Sequence, residues 1–399
     1  MHNEQKVTKS VYWIGSNDFI TPRFDNYIPL KRGISYNSYF IDDEKTCILD
    51  AVDNAARDLF LGNIKELLHD RPLDYIIVNH MEPDHSGSIS LIKQYYPNIV
   101  IVGNKKTFDM VEGFYGVGGE RYVVGEGDFL ALGHHKLRFS LIPMVHWPET
   151  MVTYDETEGI LFSGDAFGCF GALNGGVIDA NINTDIYWDE MVRYYSNIVG
   201  KYGAPVQKAL QKLQTLKINA ICSTHGPVWT EEIPRVVRIY DRLSRYEAEE
   251  GVVIAYGTMY GNTAEMAEAI AEELSKQGIR NIVMHNVSHT NHSYIIADVF
   301  KYRGLIVGCP TYNTQMYPEM EALLNKLSAR EIKGRYMGWF GSFTWASAAV
   351  KKITEFNDKL KFEPVGNPIE MKHSMKSETY VQCKELAKAM ADRLKADRK

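Results

Sequence analysis

The chain has 399 residues, of which 45% are apolar, and its formal net charge at pH 7 is -6. This length suits two domains with substantial cores, and the lack of a basic tract argues against nucleic-acid binding. No apolar run reaches the length of a membrane span, and the amino terminus has no apolar core resembling a signal peptide. The sequence therefore predicts a soluble, cytoplasmic protein.

Cysteine usage agrees with a reducing compartment. The cysteines are odd in number, widely spaced and without a Cys-x-x-Cys pair: Cys47, Cys169, Cys222, Cys309 and Cys383. Reduced, buried thiols are the simplest account of this pattern. An internal rubredoxin or iron-sulfur centre is not expected, so electrons for any redox chemistry must come from a separate carrier.

The first part of the chain alternates short strand-like runs with helical patterns. Alternating apolar runs at residues 11–14, 38–41 and 46–49 precede a helical pattern at 55–68, and a further strand is predicted at 75–78. Mixed strands followed by helices indicate an α/β fold.

The segment after this last strand is dense in potential metal ligands. Within six residues it offers two imidazoles and two carboxylates, on His80, Glu82, Asp84 and His85. On an extended backbone alternate side chains point in opposite directions, so we expect His80 and Glu82 to face one ion while Asp84 turns towards a second. The spacing predicts a site for two metal ions.

Three later strand ends carry further ligand types. Predicted strands at 137–141, 159–162 and 218–222 lead, in that order, to His146, Asp165 and His225. Each of these residues alone would most simply cap a strand or a turn. Together with the first cluster they predict that seven side chains converge on one site.

An aromatic helical pattern lies between Asp165 and His225. Its members recur at helical spacing and are typical of a helix that buries aromatic side chains; they are Tyr187, Trp188, Met191, Tyr194 and Tyr195.

A helix predicted from Pro234 runs into an acidic segment that ends at Gly251. We place the domain boundary there, with a first domain at residues 1–248 and a second at 251–399.

The second domain opens with a buried strand at 252–256, a glycine-containing loop and a helix, in which Asn262 and Glu265 have the spacing of a capping box. The loop offers hydroxyls and backbone N–H groups at a helix amino end but no lysine, which suits a phosphate monoester better than a triphosphate. We expect its contacts from Thr258, Met259, Tyr260, Gly261, Asn262 and Thr263.

Two further loops follow predicted strands at 304–308 and 336–340. Both place aromatic side chains and backbone amides beyond carboxyl strand ends, where open α/β sheets bind ligands. A flat ring system needs such groups, and we expect it to meet Pro310, Thr311, Tyr312, Asn313, Ser342, Phe343, Thr344 and Trp345.

These two sets of motifs together resemble the A-type flavodiiron proteins over essentially the whole chain. The resemblance implies an amino-terminal metallo-beta-lactamase-like αβ/βα sandwich and a carboxyl-terminal flavodoxin-like doubly wound parallel sheet that binds FMN. It implies that His80, Glu82 and His146 bind one iron, that Asp84, His85 and His225 bind the other, and that Asp165 bridges them. It also implies that Tyr195 reaches towards the iron pocket as a hydrogen-bond donor. Many relatives have glycine at Thr344, so the backbone there must accept a side chain.

The resemblance further implies reduction of dioxygen to water, of nitric oxide to nitrous oxide, or of both, at a non-haem diiron site fed by FMN. Four electrons are needed for dioxygen and two for a pair of nitric oxide molecules, so both reactions stay open. The implied partners are rubredoxin or a flavin or deazaflavin reductant as electron donor, and a second copy in a head-to-tail homodimer or a dimer of dimers.

Two other interpretations remain. One is a dizinc hydrolase with an attached flavodoxin module, which Glu82 disfavours because zinc hydrolases of the superfamily usually have histidine there. The other is an electron carrier whose first domain only binds a partner, which leaves seven ligand residues unexplained.

Overall fold

The computed structural model describes residues 3–398, which divide into two compact units, Met1–Ser244 and Arg245–Lys399. The division precedes the acidic segment because Arg245 and its neighbours pack with the second unit. There the carbonyl of Tyr246 accepts a hydrogen bond from Arg335 (2.9 Å), and its ring lies 6.1 Å from that of Phe300. Within residues 3–398, none of the helices is both long and apolar enough to cross a bilayer.

The first unit contains two large sheets. Its strands are β1 (Gln5–Lys6), β2 (Val11–Trp13), β3 (Ser16–Asp18), β4 (Arg23–Phe24), β5 (Ile28–Pro29), β6 (Ile34–Tyr36), β7 (Tyr39–Ile41), β8 (Cys47–Leu49), β9 (Tyr75–Ile77), β10 (Val100–Gly103), β11 (Arg121–Val123), β12 (Phe129–Ala131), β13 (Lys136–Leu141), β14 (Met151–Asp155), β15 (Ile160–Gly164) and β16 (Ala220–Ser223).

Seven helices accompany these strands, together with short 3-10 turns at Asn54–Ala56, Asp179–Asn181 and Gly200–Tyr202 and a π-helical turn at Tyr195–Val199. The helices are α1 (Arg57–Leu68), α2 (Pro83–Ser86), α3 (Ile89–Tyr95), α4 (Lys105–Tyr115), α5 (Asp185–Tyr194), α6 (Gly203–Leu213) and α7 (Ile233–Ser244).

One sheet has seven strands in the order β1-β2-β7-β8-β9-β10-β11, and the other has five in the order β12-β13-β14-β15-β16. Neighbours from β8 to β11 are parallel, and β15 and β16 are parallel. The two sheets meet where β9 ends, since Met151 N–H donates to Asn79 O (3.1 Å) and Thr153 Oγ1 donates to Asn79 Oδ1 (2.8 Å). The predicted αβ/βα sandwich is confirmed.

The backbone of the ligand-rich segment differs from the prediction in its second half. It is extended as far as Glu82, but Pro83–Ser86 forms one helical turn, so Asp84 and His85 lie on a helix and not on an extended strand. Pro83 explains the change, because the fixed φ of proline is suited to the first position of a helix. The expectation of an extended backbone throughout the segment is wrong.

The second unit is a parallel sheet flanked by helices. Its strands are β17 (Glu249–Tyr256), β18 (Ile282–Asn286), β19 (Tyr302–Tyr312), β20 (Gln315–Met316), β21 (Tyr336–Phe343), β22 (Glu363–Pro364) and β23 (Ile369–Lys372), and its helices are α8 (Asn262–Lys276), α9 (His292–Lys301), α10 (Pro318–Ala329), α11 (Ala349–Leu360) and α12 (Ser377–Ala396).

The strand order β18-β17-β19-β21, with β22 and β23 both paired to β21, is that of a flavodoxin-like doubly wound sheet. Its central strands are buried on both faces, as parallel strands covered by helices must be. The predicted fold of this unit is confirmed. The predicted capping box is wrong, because Gly261, with a φ of +95°, occupies the cap position before α8.

Candidate functional site

The seven predicted ligand residues of the first unit come together in two groups. In each group every residue offers a nitrogen or oxygen atom within 4.8 Å of those of the others. One group contains His80, Glu82, His146 and Asp165, and the other contains Asp84, His85 and His225. Strand ends from both sheets and the helical turn α2 bring them together.

Asp165 lies between the two groups. Its Oδ2 is 2.9 Å from His146 Nε2 and 3.6 Å from His80 Nε2, whereas its Oδ1 is 2.9 Å from His85 Nε2 and 3.9 Å from His225 Nε2. One carboxylate thus faces both groups, each with a different oxygen, which is the arrangement that a bridging ligand requires.

Backbone features on both sides of the pocket hold the ligands in place. The carboxylate of Asp50 accepts hydrogen bonds from the backbone N–H groups of Asn79 (2.7 Å) and His80 (3.2 Å). Gly226 has a φ of +80°, and a β-carbon there would lie 2.3 Å from Cys169 Sγ. Only glycine therefore lets the chain turn directly after His225.

Burial and mutual charge set the protonation of this pocket. Burial alone would lower the pKa of His85, but the carboxylates of Asp84 and Asp165 raise it to about 9. Burial likewise opposes the charged form of His146, but hydrogen bonds with Asp165 and Glu82 raise its pKa to about 9. Without bound cations these two imidazoles hold protons at neutral pH, so a metal must displace them.

Several polar atoms in the pocket are buried without a well-aligned hydrogen bond, although some of them lie within ion-pair distance of one another. They are both carboxylate oxygens of Asp84, both ring nitrogens of His85 and Nε2 of His225. Buried polar groups are normally satisfied, so unpartnered nitrogens and carboxylate oxygens that converge on one space fit metal cations. The mixture of imidazole and carboxylate, without any thiolate, suits iron.

A tyrosine that sequence reasoning missed faces this pocket. The ring of Tyr194 lies 5.5 Å from that of His225, and its hydroxyl is buried without a hydrogen-bond partner. Burial, aided by the negative charge of Asp165, raises the pKa of Tyr194 well above its ordinary value. Tyr195, for which the resemblance implies a hydrogen bond towards the iron pocket, packs against Tyr240, with ring centroids 5.1 Å apart.

The second unit has a cavity of about 350 Å³ at the carboxyl ends of its strands. Thirteen of the fourteen predicted contact residues line it, and Gly261 does not. Thr344 does not adopt a positive φ, so the backbone there accepts its side chain as expected. Three lining residues were not predicted: Thr314, Ala346 and His373. His373 follows β23, and its backbone N–H donates to Phe343 O (2.8 Å).

The cavity suits FMN in size and chemistry. Tyr260 and Trp345 line it with 89% and 87% of their surfaces exposed, so both large rings are available to stack on a flat ligand. Thr263 and Ser342 face each other, with their hydroxyl oxygens 2.9 Å apart, beside the amino end of α8. No Lys or Arg occurs among the described lining residues, in agreement with the predicted neutral phosphate site.

Family models match both units: residues 34–226 match the ODP family beta lactamase and residues 254–395 match flavodoxin. The chain is 32% identical, over 362 residues, to the anaerobic nitric oxide reductase flavorubredoxin of Vibrio vulnificus, with 87% of this chain and 71% of that protein covered.

Solved structures extend the similarity to the complete architecture. Rubredoxin oxygen:oxidoreductase from Desulfovibrio gigas has a TM-score of 0.95 at 26% identity, covering 99% of this chain and 100% of that one. The flavodiiron protein from Giardia intestinalis has a TM-score of 0.94 at 28% identity, covering 99% of this chain and 97% of that one.

A beta-lactamase-type domain with a paired metal pocket, joined to a flavodoxin domain, defines a class of metalloflavoprotein oxidoreductases. Within that class the chain belongs to the flavodiiron protein family. The dizinc hydrolase that the sequence left open is not favoured, and the expectation of an oxidoreductase is confirmed.

Proposed function

We propose that this protein reduces dioxygen to water, nitric oxide to nitrous oxide, or both, at a diiron site in its first unit, with electrons from FMN in its second. The observation that carries the proposal is the convergence of two buried ligand groups on the shared carboxylate of Asp165. When bound, FMN supplies one- and two-electron transfer, and iron supplies redox change and open coordination positions.

The ligands divide as the two groups do. His80, Glu82 and His146 would hold one iron, Asp84, His85 and His225 would hold the other, and Asp165 would be shared between them. The side chains of Glu82 and Asp84 are 15% and 11% exposed, whereas those of His80, His85 and His225 are fully buried. The pocket is therefore least buried at Glu82, and we expect a small gas molecule to enter on that side.

The chain's own residues also govern hydrogen bonding in the pocket. Tyr194 presents a buried hydroxyl beside His225, and its raised pKa keeps that hydroxyl protonated at neutral pH. It is therefore a hydrogen-bond donor to oxygen-containing ligands and a relay for protons.

The central test uses protein loaded with FMN and iron, reduced without air and then mixed with dioxygen or nitric oxide. Flavin reoxidation should be fast in the loaded protein and slow in a sample that carries FMN without iron. Equal rates in the two samples would place gas reduction at the flavin and remove the role of the metal pocket. Elemental analysis of protein from iron-sufficient medium should find iron and not zinc.

The proposed assembly is a head-to-tail homodimer, or a dimer of such dimers, in which the flavin of one chain serves the metal pocket of its partner. The exposed rings of Tyr260 and Trp345 support this arrangement, because they leave the rim of the flavin cavity open to a second copy. Co-expression of a chain that cannot hold iron with one that cannot hold FMN tests it. Mixed dimers should regain turnover, and their inactivity would mean that electrons pass within one chain.

The proposed electron donor is rubredoxin or a flavin or deazaflavin reductant, and the proposed location is the cytoplasm. Support for the latter comes from the five cysteines, all of which are buried free thiols. Turnover with each donor and each gas, measured side by side, tests the choice of donor and substrate.

A further inference from the structure

A carboxylate outside the seven ligands contacts one of them directly. Glu149 lies between β13 and β14, and its side chain is fully buried. Its Oε1 accepts a hydrogen bond from His80 Nδ1 (2.8 Å) and another from the backbone N–H of Met81 (2.9 Å). His80 is thereby held with Nε2 towards Glu82 and Asp165.

The seven ligands give the two metal positions the same formal charge. The first has two imidazoles and one carboxylate of its own, and so has the second. Both share Asp165, whose two oxygens face opposite groups. The seven ligands alone therefore give no electrostatic reason for one iron to differ from the other.

The two metal positions differ in the groups that contact Nδ1 of their imidazoles. At the second position, His225 donates from Nδ1 to the neutral carbonyl oxygen of Ser35 (2.7 Å), and Nδ1 of His85 is buried without a partner. At the first position, His80 donates to a full carboxylate. A carboxylate behind a ligating imidazole fixes its tautomer and makes it a more basic ligand.

We propose that Glu149 is a positioning residue that makes the two irons unequal. It acts through His80, so that the iron at His80, Glu82 and His146 is bound more tightly and oxidised more readily than the iron at Asp84, His85 and His225. The added negative charge favours the ferric state, because an extra anion stabilises the more highly charged ion. This inference rests on the proposed function, since it concerns iron held by these ligands.

The test compares the loaded wild-type protein with Glu149→Gln, which keeps an oxygen to accept both hydrogen bonds but removes the charge. Competition with a chelator should release iron from the wild type in two separated steps. In the variant the tighter step should weaken about 10-fold to 100-fold and approach the other. The first oxidation of the diiron pair should move to a higher potential by about 59 mV for each tenfold loss of ferric preference.

Two further variants separate charge from structure. Glu158→Gln is the matched control, because one Glu158 oxygen is likewise buried without a partner, but its side chain contacts Ser10 and none of the ligands. It should leave both release steps and the potential unchanged. Glu149→Asp restores the charge and should recover part of the shift in potential. If Glu149→Gln retains both steps and the wild-type potential, or weakens both irons equally, the inference is wrong.

A measurement on the wild type alone avoids any folding defect of the variants. Protein with half of its iron removed by chelator should show, in a crystal, the remaining ion at His80, Glu82 and His146. An ion remaining at Asp84, His85 and His225 would overturn the proposed order. A wild type that binds no iron, or that does not reduce either gas, would instead refute the proposed function.

Discussion

Replacing Asp165 by asparagine tests the ligand assignment most directly, because this carboxylate is shared by both groups. Three carboxylates face the pocket, on Glu82, Asp84 and Asp165, and they would face two divalent cations. Two unit charges 4 Å apart attract each other by about 4 kcal/mol at the effective dielectric constant of a protein site, which corresponds to about a thousandfold in affinity. A divalent ion doubles this attraction, so about a thousandfold is a lower bound for each ion. Asp165→Asn should therefore lose most of its iron and its gas-dependent turnover.

The same variant should keep its FMN, because the flavin cavity lies in the other unit, with a separate core. Iron is measured by elemental analysis after dialysis against a weak chelator, FMN by absorbance, and folding by circular dichroism. Asp155→Asn is the matched control, since Asp155 is a buried carboxylate of the same unit that bonds His135 (2.8 Å) and no ligand of the pocket. If Asp165→Asn holds as much iron as the wild type, or if it loses FMN while folded, the assignment of the two sites is wrong.

Three further predictions concern protons, pH and the flavin. Tyr194→Phe should lower turnover about 10-fold or more in stopped-flow assays with little loss of thermal stability, because it removes a buried hydroxyl without a partner, whereas Tyr195→Phe should leave the rate nearly unchanged. In the metal-free protein, the pKa values of His85 and His146 are raised to about 9, so their stabilisation is complete below pH about 6.5 and is lost as the pH rises to about 9. Calorimetry should show the metal-free melting temperature falling across that interval, and iron, which excludes these protons, should abolish the fall. Trp345→Ala should weaken FMN binding about fivefold in a fluorescence titration, because stacking of an aromatic side chain is worth about 1 kcal/mol, and should leave the iron content unchanged.

The convergence of the candidate metal ligands could be predicted from the sequence because each of these residues follows a strand end or opens the turn after it. Apolar runs mark strand ends well, and both sheets deliver their carboxyl ends to one region, so His146, Asp165 and His225 could be grouped with the first cluster. The local backbone was harder to predict, because Pro83 starts a helical turn inside a segment that otherwise reads as extended.

Strand ends do not indicate which residues of helices and loops contact the metal pocket. Tyr194 and Tyr195 are adjacent at the junction of α5 and the π-helical turn, and the spacing of the aromatic residues does not show which ring meets His225. Glu149 is one of many carboxylates in loops, and its position in the sequence does not indicate a contact with His80. His373 could have been predicted as a lining residue of the flavin cavity, because it follows β23, which pairs in parallel with β21 and ends at the same edge of the sheet.

The distribution of burial divides the metal pocket into a dry side and an accessible side. His80, His85 and His225 are fully buried, and Tyr194 closes the pocket behind His225, whereas Glu82, Asp84 and His146 keep 15%, 11% and 9% of their side chains exposed. Asp25, in the turn between β4 and β5, lies near the accessible side, since burial, together with the negative charges of Glu82 and Asp84, raises its pKa to about 6. Bound cations would outweigh the negative charges of Glu82 and Asp84 and so lower the pKa of Asp25. The charge on Glu149 lies on the dry side of the pocket, where solvent does not screen its effect on His80.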